Sequence, residues 1–265
     1  MSLLIDTHNH LDYPNFDAER PALLAECARL GVVRQVLIGV ERSQWPQLWR
    51  VATRHDGLQA APGLHPCYLH CHQDDDLAAL RTFCLEHHAD ARLCALGEIG
   101  LDYFIEAPDK PRQAWFFEQQ VRLAMELELP VLLHVRRAHA DVVKILKRLK
   151  PPRAGIAHAF SGSYEEAREY LRLGFKIGLG GAPTWPQAKR LQRVLPQLPL
   201  DAIVLETDAP DMPPAMHPDV RNSPTHLPAI CAALAPLWHV SAETLADTTT
   251  RNACAVFGWD PSQLI

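Results

Sequence analysis

The sequence lacks long hydrophobic runs, because charged side chains interrupt every apolar segment before it reaches about 18 residues. This excludes a conventional membrane-spanning helix. The sequence also lacks an excess of basic residues. Its net charge is −5, so no overall positive field attracts nucleic acid, although a local basic patch at the mouth of a site is compatible with this net charge. The N-terminal "MSLLIDTHNH" has neither the basic region nor the cleavage site of a secretory signal. We therefore expect a cytoplasmic protein with no membrane partner and no obligate protein partner.

Linkers, low-complexity tracts and internal repeats are also missing, and the 265 residues are 48% hydrophobic, which predicts one domain over residues 1–265. The seven cysteines are odd in number and scattered, so a disulfide scaffold is not expected. The run "HPCYLHCH" (65–72) crowds together side chains of the types that bind zinc. A structural zinc site there is the weaker interpretation, because no second cysteine pair lies nearby.

Short apolar runs alternate with helical patterns along the whole chain. The strands are predicted at 3–8, 33–39, 58–63, 93–98, 130–134, 154–158, 175–180 and 203–207. The helices are predicted at 18–30, 43–54, 74–88, 112–129, 138–149, 163–173, 186–195, 225–236 and 241–257. Eight strand–helix alternations predict an α/β fold of the (β/α)8 TIM-barrel type, although a doubly wound sheet would also alternate.

Two histidines stand out near the N-terminus, in "IDTHNHLD" (5–12). His8 and His10 end a predicted strand, and residues two apart on a strand face the same side, so both imidazoles can reach one metal ion. A second pair with the same spacing, His70 and His72, follows no predicted strand. Context therefore favours the first pair as a ligand pair.

Further potential ligands lie at the ends of other predicted strands. Glu98, His134 and His158 close the fourth, fifth and sixth strands, and Asp208 comes just after the eighth. In a barrel these ends share one face, which is where active sites form, whereas an open sheet usually separates its first and eighth strands. Each residue alone could be a satisfied structural group or a helix cap. Burying all of them together without a cation would be costly, which favours shared metal binding.

The sequence at these positions resembles the TatD family of metal-dependent hydrolases, within the amidohydrolase superfamily. The resemblance covers nearly the full length and rests on the motifs "IDTHNHLD", "GLHP" (63–66), "LGEIGLDY" (96–103), "LPVLLHVR" (129–136), "AHAFSGS" (157–163), "LETDAP" (205–210), "RNSP" (221–224) and "RNACAVFG" (251–258). It implies a (β/α)8 barrel of the metallo-dependent hydrolase type. It also implies metal ligands at His8, His10, Glu98, His134, His158 and Asp208.

By analogy with the superfamily, the resemblance implies two divalent ions. His8, His10 and Asp208 hold the first, His134 and His158 the second, and Glu98 bridges both. Asp208 is the expected general base and, with Glu98, forms the catalytic pair. Four imidazoles favour Zn, Mn or Fe, whereas the family's nuclease activity is associated with Mg, so Zn, Mn and Mg all stay open.

The substrate is less well defined by the sequence. The resemblance favours a phosphodiesterase or deoxyribonuclease acting on DNA 3' or 5' ends. The alternatives are a hydrolase of a small amide, lactone or phosphoester, and a metal-binding protein without catalytic activity. His65, Arg136 and Arg221 are the expected substrate-binding residues, with purely structural roles as the alternative. Glu206 is expected either behind the metals or in a salt bridge of the core. The aromatic residues expected either to stack on bases or to form loop walls are Tyr103, Phe104 and Trp185.

The sequence departs from the family pattern close to the expected ligands. Val135 and Arg137 stand where members usually carry a small hydroxyl residue and an acid, and Asp211 replaces a common aromatic residue. No ligand is lost, so these departures bear on the substrate more than on the chemistry. The basic run "KILKRLKPPR" (144–153) ends a predicted helix and should lie on the opposite rim as solvated surface.

Overall fold

The structure is a computed structural model and describes residues 2–264. This part of the chain contains eight strands and nine α-helices in alternation. The strands are β1 (Leu4–Asn9), β2 (Val32–Ile38), β3 (Leu58–Ala61), β4 (Leu96–Asp102), β5 (Val131–Arg136), β6 (Gly155–Ala157), β7 (Lys176–Leu179) and β8 (Ile203–Leu205). The helices are α1 (Arg20–Arg29), α2 (Trp45–Arg54), α3 (Asp76–His87), α4 (Lys110–Glu126), α5 (His139–Leu149), α6 (Tyr164–Arg172), α7 (Lys189–Val194), α8 (Leu227–Leu234) and α9 (Ala242–Phe257).

All strand pairs are parallel and follow chain order, in a three-stranded arc β1–β2–β3 and a five-stranded arc β4 to β8. The arcs meet at two seams. At one seam Ala60 bridges Leu93, and the Gly97 amide donates to the Pro62 carbonyl at 3.0 Å. The eight strands therefore form a (β/α)8 barrel, as predicted, with its ladder interrupted where the arcs join.

At the other seam a buried carboxylate links β1 to the end of β8. Asp6 accepts hydrogen bonds from the Thr207 amide at 2.9 Å and from the Thr207 hydroxyl at 2.6 Å. The Asp208 amide donates to the His8 carbonyl at 2.9 Å. Side-chain and loop hydrogen bonds thus replace a regular ladder here, and they bring the first and last strands side by side.

The helices cover the outside of the barrel and bury its wall. In α4, Phe117 and Val121 are fully buried in the main core. Ser163 and Glu166 form a capping box at the start of α6. In α9, Asn252 donates to the Ile203 carbonyl of β8 at 2.7 Å. The outer helices are therefore attached to the strands by both apolar packing and specific hydrogen bonds.

No single helix among residues 2–264 is long and apolar enough to cross a membrane. The segments Pro224–Trp238 and Ala242–Phe257 reach the required length and composition only when taken together, and they bend by 103° between them. The cytoplasmic location expected from the sequence stays a prediction.

Gly63 allows the backbones of the two arcs to come close at the first seam. A Cβ atom on Gly63 would lie 2.6 Å from the carbonyl carbon of Gly97 and 2.8 Å from the amide nitrogen of Glu98. Both neighbours are backbone atoms, so no side chain can rotate away to make room. Gly63 in "GLHP" is therefore a packing requirement that helps to fix the position of Glu98.

We expect Gly63→Ala to destabilise the metal-free protein by about 1–3 kcal/mol through overpacking. Thermal unfolding of the chelated protein measures this as a Tm several degrees lower. An unchanged Tm would show that the seam adjusts to the methyl group and that the close approach is not a constraint.

Candidate metal centre

The carboxylate of Glu98 is the hub of a buried cluster of histidines. Its Oε2 lies 3.2 Å from His8 Nε2, and its Oε1 lies 2.8 Å from His134 Nδ1 and 3.3 Å from His65 Nε2. His158 Nε2 lies 3.9 Å from the same Oε1. Residues from both arcs of the barrel thus face one carboxylate.

Asp208 approaches the cluster from the end of β8. Its Oδ1 lies 3.6 Å from His8 Nε2 and 3.7 Å from His10 Nε2, and its Oδ2 lies 3.6 Å from His158 Nε2. Asp208 has a φ of 59°, a left-handed conformation that few non-glycine residues adopt and that occurs often at functional sites. The six ligands predicted from the sequence therefore converge in one place.

The position of Glu98 along its strand differs from the sequence prediction. The prediction closed strand β4 at Glu98, whereas β4 continues to Asp102, paired there with Arg136 of β5. Gln113 of α4 stabilises this extension, because its side chain accepts from the Asp102 amide at 2.8 Å and donates to the Asp102 carbonyl at 2.9 Å. Glu98 therefore lies within the strand, deeper in the barrel.

The far nitrogens of three imidazoles are held by protein groups. His10 Nδ1 lies 3.1 Å from the Ile38 carbonyl. His158 Nδ1 lies 2.9 Å from Glu206 Oε1, and His134 Nε2 lies 2.8 Å from Asp102 Oδ2. Such partners fix the orientation of metal-binding imidazoles and increase their basicity. In each ring the remaining nitrogen points toward Glu98 or Asp208.

The electrostatics of the cluster favour bound positive charge. Burial alone would raise the pKa of Glu98, but the imidazoles of His65 and His8 hold it well below its usual value. Burial would likewise lower the pKa of His158, but the carboxylates of Glu206 and Asp208 raise it well above the usual value. The carboxylates thus attract cations to this site, either as protons on the histidines or as metal ions.

The cluster also has the free donor atoms that a metal ion requires. Both ring nitrogens of His8 are buried and neither makes a well-formed hydrogen bond among residues 2–264, although Nε2 lies 3.2 Å from Glu98 Oε2. Leaving buried polar atoms unpaired is costly, so this histidine fits a ligand that is supplied from outside the chain. Imidazole nitrogens together with carboxylate oxygens suit Zn or Mn. The residues therefore fit a metal ion, and the assignment of His8, His10, Glu98, His134, His158 and Asp208 as its ligands stays a prediction.

The cluster of histidines and carboxylates opens into a cavity of about 580 Å³ at the carboxyl ends of the strands. Among the predicted substrate contacts, His65 and Arg136 line this cavity. Arg221 does not line it. Its guanidinium donates to the Asn15 carbonyl at 2.6 Å and pairs with Glu19. The role of Arg221 in substrate binding stays a prediction, without geometric support.

Three polar residues of the site escaped the sequence analysis. Asp102 has a recognisable signal, since it lies four residues after Glu98 on one strand and so shares its face. Cys67 was considered only as part of the run at 65–72, yet its Sγ lies 3.2 Å from Asp102 Oδ2 in the cavity wall. Asn222 follows Arg221 in "RNSP", and its side chain donates to the carbonyl of Thr207 at 2.7 Å. No pattern in a single sequence reveals that contact.

The possible zinc run at 65–72 does not converge on a site of its own. Cys71 is exposed, and His72 turns inward to place Nε2 3.0 Å from the His65 carbonyl. His65 and Cys67 instead point to the metal cavity, where they lie near His134. This run therefore supplies part of the cavity wall.

The predicted basic run at 144–153 lies on the side of the barrel away from the cavity. The helix α5 runs back from the mouth, and in its last turn Lys147 pairs with Glu169 and Arg148 pairs with Glu118.

Of the three aromatics named as base-stacking candidates, Trp185 donates to the Pro213 carbonyl and Tyr103 donates to Asp141, whereas Phe104 is 45% exposed.

A barrel with histidines and carboxylates at the carboxyl ends of its strands defines the class of metal-dependent hydrolases. Comparison with known proteins agrees: the TatD related DNase family matches residues 5–258. The chain belongs to this family, as the sequence predicted, and is a metal-dependent hydrolase that acts on ester bonds.

Two relatives and two solved structures show the range of this similarity. The chain is 38% identical over 253 residues to the uncharacterized metal-dependent hydrolase YjjV of Escherichia coli K12, covering 96% of this chain and 97% of that protein. It is 32% identical over 263 residues to the 3'-5' ssDNA/RNA exonuclease TatD of Cronobacter sakazakii, covering 96% and 97%. The crystal structure of the Escherichia coli TATD homolog YJJV matches with a TM-score of 0.93 at 37% identity, over 97% of this chain and 98% of that one. An organophosphorus hydrolase from Deinococcus radiodurans shares the fold alone, at 15% identity and a TM-score of 0.65, over 96% and 93%.

We expect Asn222→Ala to reduce both stability and activity. Its amide donates to the carbonyls of Thr207 and Asp211, each at 2.7 Å, and so holds the loop that carries Asp208. Leaving the buried Thr207 carbonyl and the partly buried Asp211 carbonyl unpaired costs about 2 kcal/mol. Thermal unfolding together with kcat measures both effects.

Arg221→Ala is the matched control for Asn222→Ala, since its partly exposed ion pair contributes at most about 1 kcal/mol. We expect near-normal Tm and kinetics. A higher KM at unchanged Tm for Arg221→Ala would support the sequence prediction that this arginine binds substrate and contradict the structural reading.

If the cluster binds a metal, Zn²⁺ or Mn²⁺ added back to protein that was stripped of metal should raise its Tm. When the ion is at 100 times its Kd, the free energy of unfolding should increase by about 2.7 kcal/mol. His8→Ala should lose most of this stabilisation and of the metal found by elemental analysis. His70→Ala, which changes the exposed member of the second histidine pair, should keep both. Equal metal content in the two variants would contradict the assignment.

Proposed function

We propose that the protein hydrolyses phosphodiester bonds at an end of single-stranded nucleic acid, using two divalent cations. In this proposal His8, His10 and Asp208 hold one cation, His134 and His158 hold the other, and Glu98 contacts both. The observation that supports this arrangement is that the two carboxylate oxygens of Glu98 face different histidines. Its Oε2 faces His8, whereas its Oε1 faces His134. A carboxylate with each oxygen directed to a different set of imidazoles is suited to bridging two ions.

When bound, two such ions would polarise the phosphoryl group and lower the pKa of the attacking water. The contribution of the protein is to hold the ligands, accept a proton and place the substrate. Asp208 is the proton acceptor in our proposal. Burial alone would raise the pKa of Asp208, but the imidazoles of His158, His8 and His10 lower it, so the carboxylate is ionised at neutral pH and can accept a proton.

Two cavity residues are suited to binding the phosphate. Arg136 is exposed at the rim and has no carboxylate within 4.0 Å among the described residues, so its guanidinium is free for a bidentate contact with phosphate oxygens. Burial lowers the pKa of His65 to about 4, so its imidazole is neutral at physiological pH. We propose that His65 orients the substrate or its leaving group.

Single-stranded nucleic acid is favoured as substrate on two grounds. The cavity of about 580 Å³ falls within the range of small-molecule sites and can enclose one terminal nucleotide. A relative that is 32% identical over nearly the whole chain is named a 3'-5' ssDNA/RNA exonuclease. The alternative substrates, a small phosphoester, amide or lactone, would use the same metals and occupy the same cavity.

The test is an assay of Mn²⁺- and Mg²⁺-loaded protein on end-labelled single-stranded DNA, beside a panel of small phosphoesters, amides and lactones. We expect DNA shortening, and a loss of about a thousandfold in kcat for Asp208→Asn, because the proton acceptor is removed while a similar shape remains. Turnover of the small substrates alone would contradict the proposal, and labelling either end shows which terminus is attacked.

A further inference from the structure

A second concave surface, here called the arginine groove, adjoins the metal cavity. It has a volume of about 440 Å³ and shares Arg136 and Ser161 with the cavity. The residues that line it are Phe104, Arg136, Arg137, His139, Ser161, Gly162, Glu166 and Arg190. Because the two spaces share these lining residues, they are adjacent, and a ligand bound in the metal cavity can extend into the groove.

The charge of the groove is strongly positive. The arginines at positions 136, 137 and 190 are all exposed, and none has a carboxylate within 4.0 Å among residues 2–264. Many other arginines of this chain are paired, such as Arg81 with Glu126 and Arg148 with Glu118. The unpaired guanidiniums of the groove are therefore available to an external anion, in a protein whose net charge is −5.

Packing holds these guanidiniums at the groove. Those of Arg136 and Arg137 lie 3.7 Å and 4.4 Å from the centre of the Phe104 ring. Arg137 has a φ of 54°, a left-handed turn that directs the chain away from β5 directly after Arg136. Arg190 donates to the Ser161 carbonyl at 2.8 Å. Arginines that are already ordered lose less entropy when they bind phosphate.

The other ionisable groups of the groove do not cancel this charge. Glu166 is committed to the capping box of α6, where its Oε2 accepts from the Ser163 amide at 2.7 Å. His139 is buried beside the Tyr170 hydroxyl at 3.0 Å, and burial lowers its pKa, so it is neutral. The net balance of the groove is three guanidiniums against one carboxylate.

We propose that the arginine groove binds backbone phosphates of a single-stranded polynucleotide whose terminal phosphodiester lies at the metals. This inference rests on the proposed function and deepens it, because it makes the natural substrate a chain rather than a small ester. Phosphate is the anion that arginine forks bind bidentately, and a strand presents it at regular intervals along a groove. Arg137 and Arg190 are the residues that distinguish a chain from a single nucleotide.

The test compares the double variant Arg137→Ala/Arg190→Ala with Lys144→Ala/Arg148→Ala, which removes the same charge from α5 away from the groove. In the metal-free protein, fluorescence anisotropy with a labelled single strand of about eight nucleotides measures binding without catalysis. We expect the groove variant to bind about tenfold more weakly, and its slope of log K against log salt to be shallower by about 1.4. The control should bind like the wild type, apart from a small long-range charge effect.

The second readout is turnover by the metal-loaded proteins. We expect kcat/KM of the wild type to rise from a dinucleotide to the longer strand, and the groove variant to lose this rise while it cleaves the dinucleotide normally. Equal binding and equal length dependence in both variants would overturn the inference. So would displacement of the strand by inorganic phosphate as effectively as by a second strand.

The two proposals fail separately. Weaker strand binding by the groove variant, together with no DNA cleavage by any metal-loaded protein, would support the groove and contradict the proposed nuclease function. Cleavage of strands by the metal-loaded proteins, with kcat/KM of the groove variant rising with strand length as in the wild type, would support the nuclease function and contradict the groove.

Discussion

The structure depends on one carboxylate that faces histidines from both arcs of the barrel. Glu98 reaches His8 of the first strand through one oxygen and His134 of the fifth through the other, at 3.2 Å and 2.8 Å. The backbone of Glu98 is fixed as firmly as its side chain, because its amide donates to the Gly39 carbonyl at 2.8 Å. The predicted metal ligands, which come from distant parts of the sequence, can meet only if the two arcs close around this residue.

The protein around the cluster is arranged to keep these ligands in place. Asp6 ties β1 to Thr207, immediately before Asp208, and Asn222 holds the loop that follows. Asp102 and Glu206 each contact the far nitrogen of a histidine. The hydrogen bond to Asp102 and the ionic contact with Glu206 set the direction in which each imidazole points. A rigid barrel wall therefore presents a fixed set of donors to ions and leaves variation to the loops at the mouth.

The sequence predicted the alternation of elements well, because eight apolar runs separated by amphipathic helices are a strong periodic signal. It also predicted the residues that meet at the cluster, since polar groups at strand ends share one face of a barrel. It misjudged where β4 ends: the run at 93–98 is the most apolar part, but pairing with β5 carries the strand to Asp102.

Contacts made by loops were beyond reach of the sequence. "RNSP" drew attention to Arg221, whose charge suggested phosphate binding, whereas Asn222 is the residue that faces inward to the Asp208 loop. The neighbouring Arg221 is turned outward to Glu19, some two hundred residues earlier in the chain. Such pairings depend on the tertiary path of the loops, and no local pattern encodes them.

The most direct measurement is anomalous X-ray diffraction from crystals loaded with Mn²⁺. The account predicts two peaks on either side of the Glu98 carboxylate, one among His8, His10 and Asp208 and the other between His134 and His158. A map without a peak inside this cluster, or with metal bound only at some other place on the protein, would contradict it.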